Sequence, residues 1–214
     1  MTSEASVPLF PLPNVILYPG AMLPLHIFEP RYVQMVEDML EQKQELIALA
    51  LLKPGWDAKY FGQPDVFPIA GIGRMVSCQR MPNNRFNILV EGMSRVELHE
   101  LQVDKSYRCT QFQRLEEKPI ADEQLEQDLR QGLVRGLRAL SEESVMPDPA
   151  RSISYLCDVV LVAAGADISE KQRIYSILDV AERAREVLAL LKEAELLSRR
   201  TGNGARRPQD PSLN

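Results

Sequence analysis

The sequence predicts an α+β protein: a β-rich N-terminal half with one helix, followed by an all-helical C-terminal half. Three observations carry this. Val7–Leu25 holds five prolines among aliphatic residues, a density that suits short edge strands and extended connections but no helix. From Ile69 to Leu115 the apolar residues run largely at period two around the turn residues Pro82-Asn83-Asn84, as in a hairpin and its continuation. Beyond Pro119 the spacing changes, and Leu125, Leu129, Leu133, Leu137 and Leu140 mark a helical face. Strands grouped before helices argue for α+β rather than an alternating α/β order.

The elements follow in order. Pro19-Gly20 reads as a turn. Pro30 suits a first helical turn, and Tyr32, Met35, Val36, Met39 and Leu40 give an amphipathic helix over 30–42. Glu45–Leu52, nearly all apolar and stopped by Pro54-Gly55, reads as a buried strand. Ile69–Met81 and Arg85–Gly92 form the hairpin, and Val96–Val103 and Tyr107–Leu115 two further strands. Gly71, Gly73 and Gly92 inside these runs predict bulges or tight bends, as a small closed or partly closed sheet requires. After the helix at the leucine stripe comes a loop with Pro147 and Pro149. An apolar helix Ser152–Ala164 ends near Gly165. Capping boxes at Ser169/Gln172 and Asp179/Glu182 predict helices over 170–178 and 180–198. The expected division is a β-rich subdomain over 7–118, a helical subdomain over 119–198, and a disordered basic tail over 199–214.

The net charge is −5 over 214 residues. Ser198–Asn214 holds four arginines against one aspartate, so Met1–Leu197 is more acidic than the total. An acidic body disfavours a general nucleic-acid binder. Three widely spaced cysteines, Cys78, Cys109 and Cys157, without a C-x-x-C pair, read as reduced thiols. The polar N-terminus lacks a basic stretch followed by an apolar one, and the apolar runs are far shorter than a membrane span. A cytoplasmic protein with no membrane partner is expected.

Catalytic signatures are sparse. There is no G-x-x-x-x-G-K-[ST] and no G-x-S-x-G; Gly71-Ile-Gly73 is half of a dinucleotide fingerprint, with Val76 where the third glycine would stand. Neither His26 nor His99 has a second histidine or a cysteine at helical spacing, so no metal or cofactor is expected. His99 reads as solvated and His26 as a hydrogen-bonded packing residue. The densest polar and aromatic stretch is Phe28-Glu29-Pro30-Arg31-Tyr32. It reads as a cap and ion pair at a helix start, or as a rim that contacts a ligand or polypeptide. Arg74 shares parity with Ile72, Val76 and Cys78. It should be rotated outward by a bulge, or half-buried against an acid such as Glu29 or Glu91, since a buried unpaired charge is costly. Met75, Met81 and Met93 gather around the hairpin, either as core filler or as an adaptable binding surface.

In sequence order, Val7-Pro-Leu-Phe-Pro-Leu-Pro, Tyr18-Pro-Gly and Pro24-Leu-His-Ile-Phe-Glu-Pro-Arg-Tyr, followed by Met35-Val36, resemble the N-terminal domain of the ATP-dependent Lon proteases, the LON substrate-binding domain. Gly71-Ile-Gly73-Arg74 resembles that family's glycine-rich strand entry. Val90-Glu-Gly-Met-Ser-Arg95 resembles its V-x-G-x-x-R strand, and Lys171-Gln172, Ile177-Leu178 and Glu182-Arg183 resemble its closing helices. The resemblance spans Val7–Leu197. It implies a PUA-like, partly closed β-barrel with one helix, then a C-terminal α-helical bundle. It also implies a part in protein-substrate recognition without the ATPase or the Ser-Lys peptidase.

The expected function is therefore a stand-alone, non-catalytic binding module for unfolded or partly folded polypeptides, serving a protease or chaperone. The candidate contacts are His26, Glu29, Arg31, Tyr32, Arg74, Met75, Met81 and Met93. Two other readings compete: RNA binding, implied by the PUA-like architecture, and a small-molecule sensor or enzyme with a pocket near His26, Glu29 and Arg74.

Overall fold

The computed structural model describes residues 6–59, 62–140, 148 and 150–202. The chain divides into two compact units, Met1–Lys118 with Ile168–Leu178, and Pro119–Asp167 with Asp179–Asn214.

The first unit is built on strands β1 (Val7–Leu12), β2 (Met22–Ile27), β3 (Leu46–Leu51), β4 (Ile69–Met81), β5 (Arg85–Leu101) and β6 (Arg108–Arg114). Helix α1 (Pro30–Glu41) joins β2 to β3. The sheet order is β2-β5-β4-β3-β1-β6, and β5 pairs again with β6. The ring β5-β4-β3-β1-β6 therefore closes on itself, while β2 adds to β5 alone. This is the partly closed barrel that the resemblance implies. All contacts are antiparallel except the parallel pair β1–β3, which α1 makes possible as the crossover.

Several local rules place these elements. Tyr18-Pro19-Gly20-Ala21 is a turn closed by Ala21 N–H to Tyr18 O at 3.1 Å, with Gly20 at φ 77°. Glycine tolerates that angle at the third turn position. Pro30 opens α1, as its fixed φ and missing N–H allow. The hairpin turn sets both Asn83 and Asn84 at positive φ, which asparagine accepts more readily than most residues.

The strand expected to break at Gly92 is one continuous β5. The break in its pattern is a bulge: Ile72 pairs with Ser94 but Gly73 with Gly92, leaving Met93 as an extra residue. An extra residue reverses the facing of everything beyond it. Phe86, Ile88 and Val90 accordingly enter one core cluster, with Tyr32, Met35 and Ile47, while Val96 and Leu98 enter another, with Leu9, Ile72 and Phe112. β3 alternates between the same two clusters, Ile47 and Leu49 against Ala48 and Ala50. A strand buried on both faces reads as an unbroken apolar run.

Helix α4 (Ile168–Tyr175) belongs to this unit. The expected helical subdomain of 119–198 therefore does not hold together as one piece. Ser169, expected at the start of this helix as its cap, lies inside it, because α4 begins at Ile168. Gln172 is buried, and its amide donates to Ile69 O at 2.8 Å. Tyr175, fully buried, donates its hydroxyl to Leu17 O and Ala70 O, both at 3.2 Å. Such bonds to strand and loop backbone hold α4 against the barrel.

The second unit packs α2 (Glu123–Leu140), α3 (Ile153–Ala163) and α5 (Val180–Gly202) against one another. Asp122 caps α2 by accepting from Gln124 and Leu125 N–H. Ser152 caps α3 through Tyr155 N–H at 3.2 Å. Asp179 caps α5 through Glu182 N–H at 3.0 Å. Each satisfies donors that a helix start leaves open. Leu129, Leu133 and Leu137 of α2, Leu156 and Val160 of α3, and Ala184 and Val187 of α5 are all buried. Gly165 is not a left-handed cap; α3 ends at Ala164 in extended backbone. α5 runs to Gly202, past the expected end at Ser198. The Pro147 and Pro149 positions and the tail over 203–214 lie outside the described residues.

Candidate functional site: an apolar groove at the barrel mouth

A groove of about 600 Å³ opens where the C-terminal ends of β1 and β2 meet the loop after β3. Its walls are mostly apolar: Phe10 and Leu12 from β1, Leu25, Ile27 and Phe28 from the end of β2, Tyr32 from α1, and Trp56 from a 3-10 turn at Trp56–Lys59. Phe10 and Tyr32 pack at 4.4 Å between ring centroids, tilted by 59°. Both are nearly buried, so they form the floor, whereas Phe28 is 60% exposed at the rim. An exposed phenylalanine beside an apolar hollow is a natural anchor for another apolar surface.

The two arginines at the rim are paired. Arg31 donates from Nε and Nη2 to Glu29 Oε2 at 3.1 and 3.0 Å, and its guanidinium lies 4.6 Å from the centre of the Tyr32 ring. Arg108 binds Glu100 through two nitrogens, at 2.9 and 2.5 Å, and reaches Pro64 O at 2.7 Å. That last bond holds the wall after β3 in place, together with Lys53 N–H to Asp65 O at 2.8 Å. With both arginines engaged, the groove offers apolar surface and shape more than a net charge.

Four of the eight sequence candidates line this groove: His26, Glu29, Arg31 and Tyr32. His26 is exposed rather than packed. Its Nδ1 lies 2.7 Å from Asn87 Oδ1, and its ring stacks on Phe28 at 5.9 Å. The other four candidates lie elsewhere. Arg74 is exposed and pairs with Glu45 at 3.6 Å, not with Glu29 or Glu91. It keeps the parity of Ile72, but the buried part of that face ends before it, and the second irregularity, between Met75 and Ser77, turns Cys78 toward the other cluster. Met75 packs on the core that holds Tyr32, Met93 on the other core, and Met81 sits at the hairpin end opposite Arg85. The three methionines thus form no common surface. His99 is exposed, as its charged surroundings predict.

Sequence reasoning missed Phe10, Phe28, Trp56 and Arg108. Phe28 stood inside the segment singled out, and Trp56 is the chain's single tryptophan; both signals were readable. Phe10 and Arg108 come together only through the pairing of β1 with β6.

A polar cleft adjoins the groove and shares Arg31, Tyr32 and Arg108 with it. There Tyr107 donates its hydroxyl to Asp38 Oδ2 at 2.7 Å, and Lys105 Nζ reaches Tyr107 Oη at 2.6 Å and Asp38 Oδ2 at 3.2 Å. Hydrogen bonds from Gln34 and Tyr107 hold the Asp38 carboxyl below its ordinary pKa of 3.8. The bond to Tyr107 raises Lys105, and burial raises Tyr107. The lowered Asp38 contributes stability above its unfolded pKa, and that contribution is lost as pH falls through the folded value. The raised Lys105 and Tyr107 contribute below their unfolded values and lose that contribution as pH rises through the folded ones. Asp38→Asn should therefore flatten the acid limb of a stability–pH curve, measured by urea unfolding, below about pH 4. An unchanged acid limb would contradict this.

Among the described residues no group of three His, Cys, Asp or Glu side chains is placed to hold a metal ion. Burial raises the pKa of the Cys78 and Cys109 thiols, which keeps them in the unreactive protonated form. No described helix is long and apolar enough to cross a membrane.

The family pattern of the ATP-dependent protease La (LON) substrate-binding domain matches residues 6–193, and the chain belongs to that family. Lon protease 2 of Sorangium cellulosum is 28% identical over 209 residues, covering 90% of this chain and 25% of its own length. The chain thus spans about a quarter of the curated relatives it matches. The N-terminal domain of a Mycobacterium avium complex Lon protease superposes with a TM-score of 0.70 at 15% identity, covering 88% of this chain and 99% of that one. A Lon N-terminal domain protein of Xanthomonas campestris gives 0.64 at 18% identity, covering 86% and 98%. These two share the fold.

Proposed function

We propose that the protein binds unfolded or partly folded polypeptides through the groove at the barrel mouth, without catalysing a reaction on them, and works in a cytoplasmic protease or quality-control setting. The observation that carries this reading is the groove itself: apolar walls, rim arginines held by acidic partners and the exposed Phe28. Large apolar side chains are what a folded protein hides and an unfolded chain displays. Membership of the substrate-binding family supports the same reading.

The reading of a small-molecule or catalytic site near His26, Glu29 and Arg74 has less support, because the groove takes in His26 and Glu29 while Arg74 stands apart from it. Nothing in the geometry favours RNA over polypeptide.

Trp56 supplies the test, since it lines the groove and is the single tryptophan. Titration with reduced, carboxymethylated ribonuclease A, an unfolded chain without tryptophan, should shift Trp56 fluorescence saturably. The folded form of the same protein should not. Phe28→Ser should weaken this binding about tenfold, as loss of an interface anchor does, with no change in the thermal midpoint because Phe28 is exposed. A flat titration would overturn the proposal.

A further inference from the structure

The groove stands at the end of a strand with one unused edge. β2 pairs with β5 on one side, and among the described residues no strand pairs with its other side. The direction of its backbone groups follows from the register. Met22 stands opposite Glu91, so Ala21 stands opposite Gly92, and Gly92 N–H donates to Ala21 O at 2.8 Å. Hydrogen-bonded pairs in an antiparallel ladder recur at every second position. Leu23, Leu25 and Ile27 therefore turn their N–H and C=O groups toward β5, and Met22, Pro24 and His26 turn theirs outward. Pro24, which has no N–H, falls at a position that owes β5 no donor. This is where an edge strand tolerates proline.

The outer edge thus presents the N–H groups of Met22 and His26 and the C=O groups of Met22, Pro24 and His26. Their side chains are all exposed, and among the described residues no backbone hydrogen bond from outside the β2–β5 ladder reaches these three positions. The same strand leads into the groove, which Leu25, Ile27 and Phe28 line. A backbone paired with His26 therefore brings a neighbouring side chain to the Phe10–Tyr32 floor.

We infer that the client docks as an added strand: an extended polypeptide segment pairs with the outer edge of β2 at Met22–His26 and seats a large apolar side chain in the adjoining groove. The inference rests on the polypeptide-binding reading and supplies its geometry. The occupant must be extended, because donors and acceptors spaced at every second residue are matched together only by another strand. Sequence tolerance follows, since backbone groups supply the pairing and a single side chain supplies the preference.

Two measurements on the intact protein test it. The first is hydrogen exchange in the presence and absence of saturating reduced, carboxymethylated ribonuclease A. The Met22 and His26 amides should slow at least tenfold in the complex. The second takes the tightest-binding short peptide tiled from that probe and methylates its backbone nitrogens one at a time. Methylation should weaken binding about three- to tenfold at alternate positions, as loss of one hydrogen bond predicts, and leave the positions between them unaffected. Binding without protection at Met22 and His26, or with a flat methylation scan, would overturn strand addition while leaving the groove as a polypeptide site. Absence of all binding would overturn the polypeptide reading and this inference with it. Protection that depends on protein concentration alone, with a dimer in solution, would assign the edge to a second copy of the chain and overturn the client as its occupant.

Discussion

Arg95→Ala should destabilise the protein by about 3–5 kcal/mol, from the cavity left by a buried side chain together with the loss of its charge-assisted hydrogen bonds. Arg95 is 3% exposed. Its Nε donates to Tyr175 O at 2.9 Å, its Nη1 pairs with Glu117 at 2.9 Å, and its guanidinium lies 4.5 Å from the centre of the Tyr175 ring. The substitution removes all three interactions together. It removes the bond to the carbonyl at the end of α4 and the bond to Glu117, and opens a cavity beside a buried aromatic ring. Glu117→Gln should cost far less, about 1 kcal/mol, because Glu117 is partly open to water and a glutamine oxygen can still accept the bond. Urea unfolding of the two variants separates them. A loss below about 1 kcal/mol for Arg95→Ala would show that water replaces the guanidinium and that α4 is not held by it.

Gly92→Ala should cost about 3 kcal/mol, the upper end of the usual overpacking range with backbone hydrogen bonds at stake. A Cβ at Gly92 would stand 2.1 Å from Tyr18 O and 3.0 Å from Tyr18 C. Both belong to the backbone of a turn that Gly92 itself holds, through Gly20 N–H to Gly92 O and Gly92 N–H to Ala21 O, each at 2.8 Å. The turn cannot retreat without breaking those bonds. Gly136 in α2 provides the contrast. There the nearest atom is Leu191 Cδ1 at 2.2 Å, the tip of a flexible side chain. A rotamer change clears it, and the gain in helix propensity from glycine to alanine is about 1 kcal/mol. Gly136→Ala should thus fall within about 1 kcal/mol of the wild type. Thermal unfolding of the two alanine variants makes the comparison. Equal losses would mean that the turn at Tyr18 yields as readily as a leucine side chain.

How much of this was legible in the sequence depends on whether a residue's partner is near it along the chain. The turn at Pro19-Gly20, the start of α1, the limits of β4 and the leucine face of α2 all follow from local pattern and were readable. The continuity of β5 was not, because a bulge interrupts period two in the same way as a strand end does. The contrast between Arg74 and Arg95 is more instructive. By parity Arg74 fell on an apolar face, to be turned outward by a bulge or half-buried against an acid; it is exposed and pairs with Glu45. The buried one, Arg95, was visible only as the last letter of a family-like motif. Its partners, Glu117 and the Tyr175 carbonyl, lie 22 and 80 positions away. At the groove, the segment from Phe28 to Tyr32 announced itself by composition. The opposing wall at Phe10 and Arg108 exists only once β1 and β6 have paired.

The return of α4 to the barrel has a consequence for synthesis. The chain leaves the first unit at Lys118, re-enters it at Ile168 and leaves again at Leu178, where Lys118 N–H donates to Leu178 O at 2.9 Å. When the six strands have emerged from a ribosome, Arg95 is in place but the carbonyl and ring that receive it have not been made. Translation advances at roughly 5–20 residues per second, so the wait before α4 arrives is several seconds. During that interval the barrel carries an unsheathed guanidinium and an open flank beside Leu17 and Ala70. A nascent chain halted ahead of α4 should therefore resist proteolysis far less than one halted just after it, although the two differ by a single short helix.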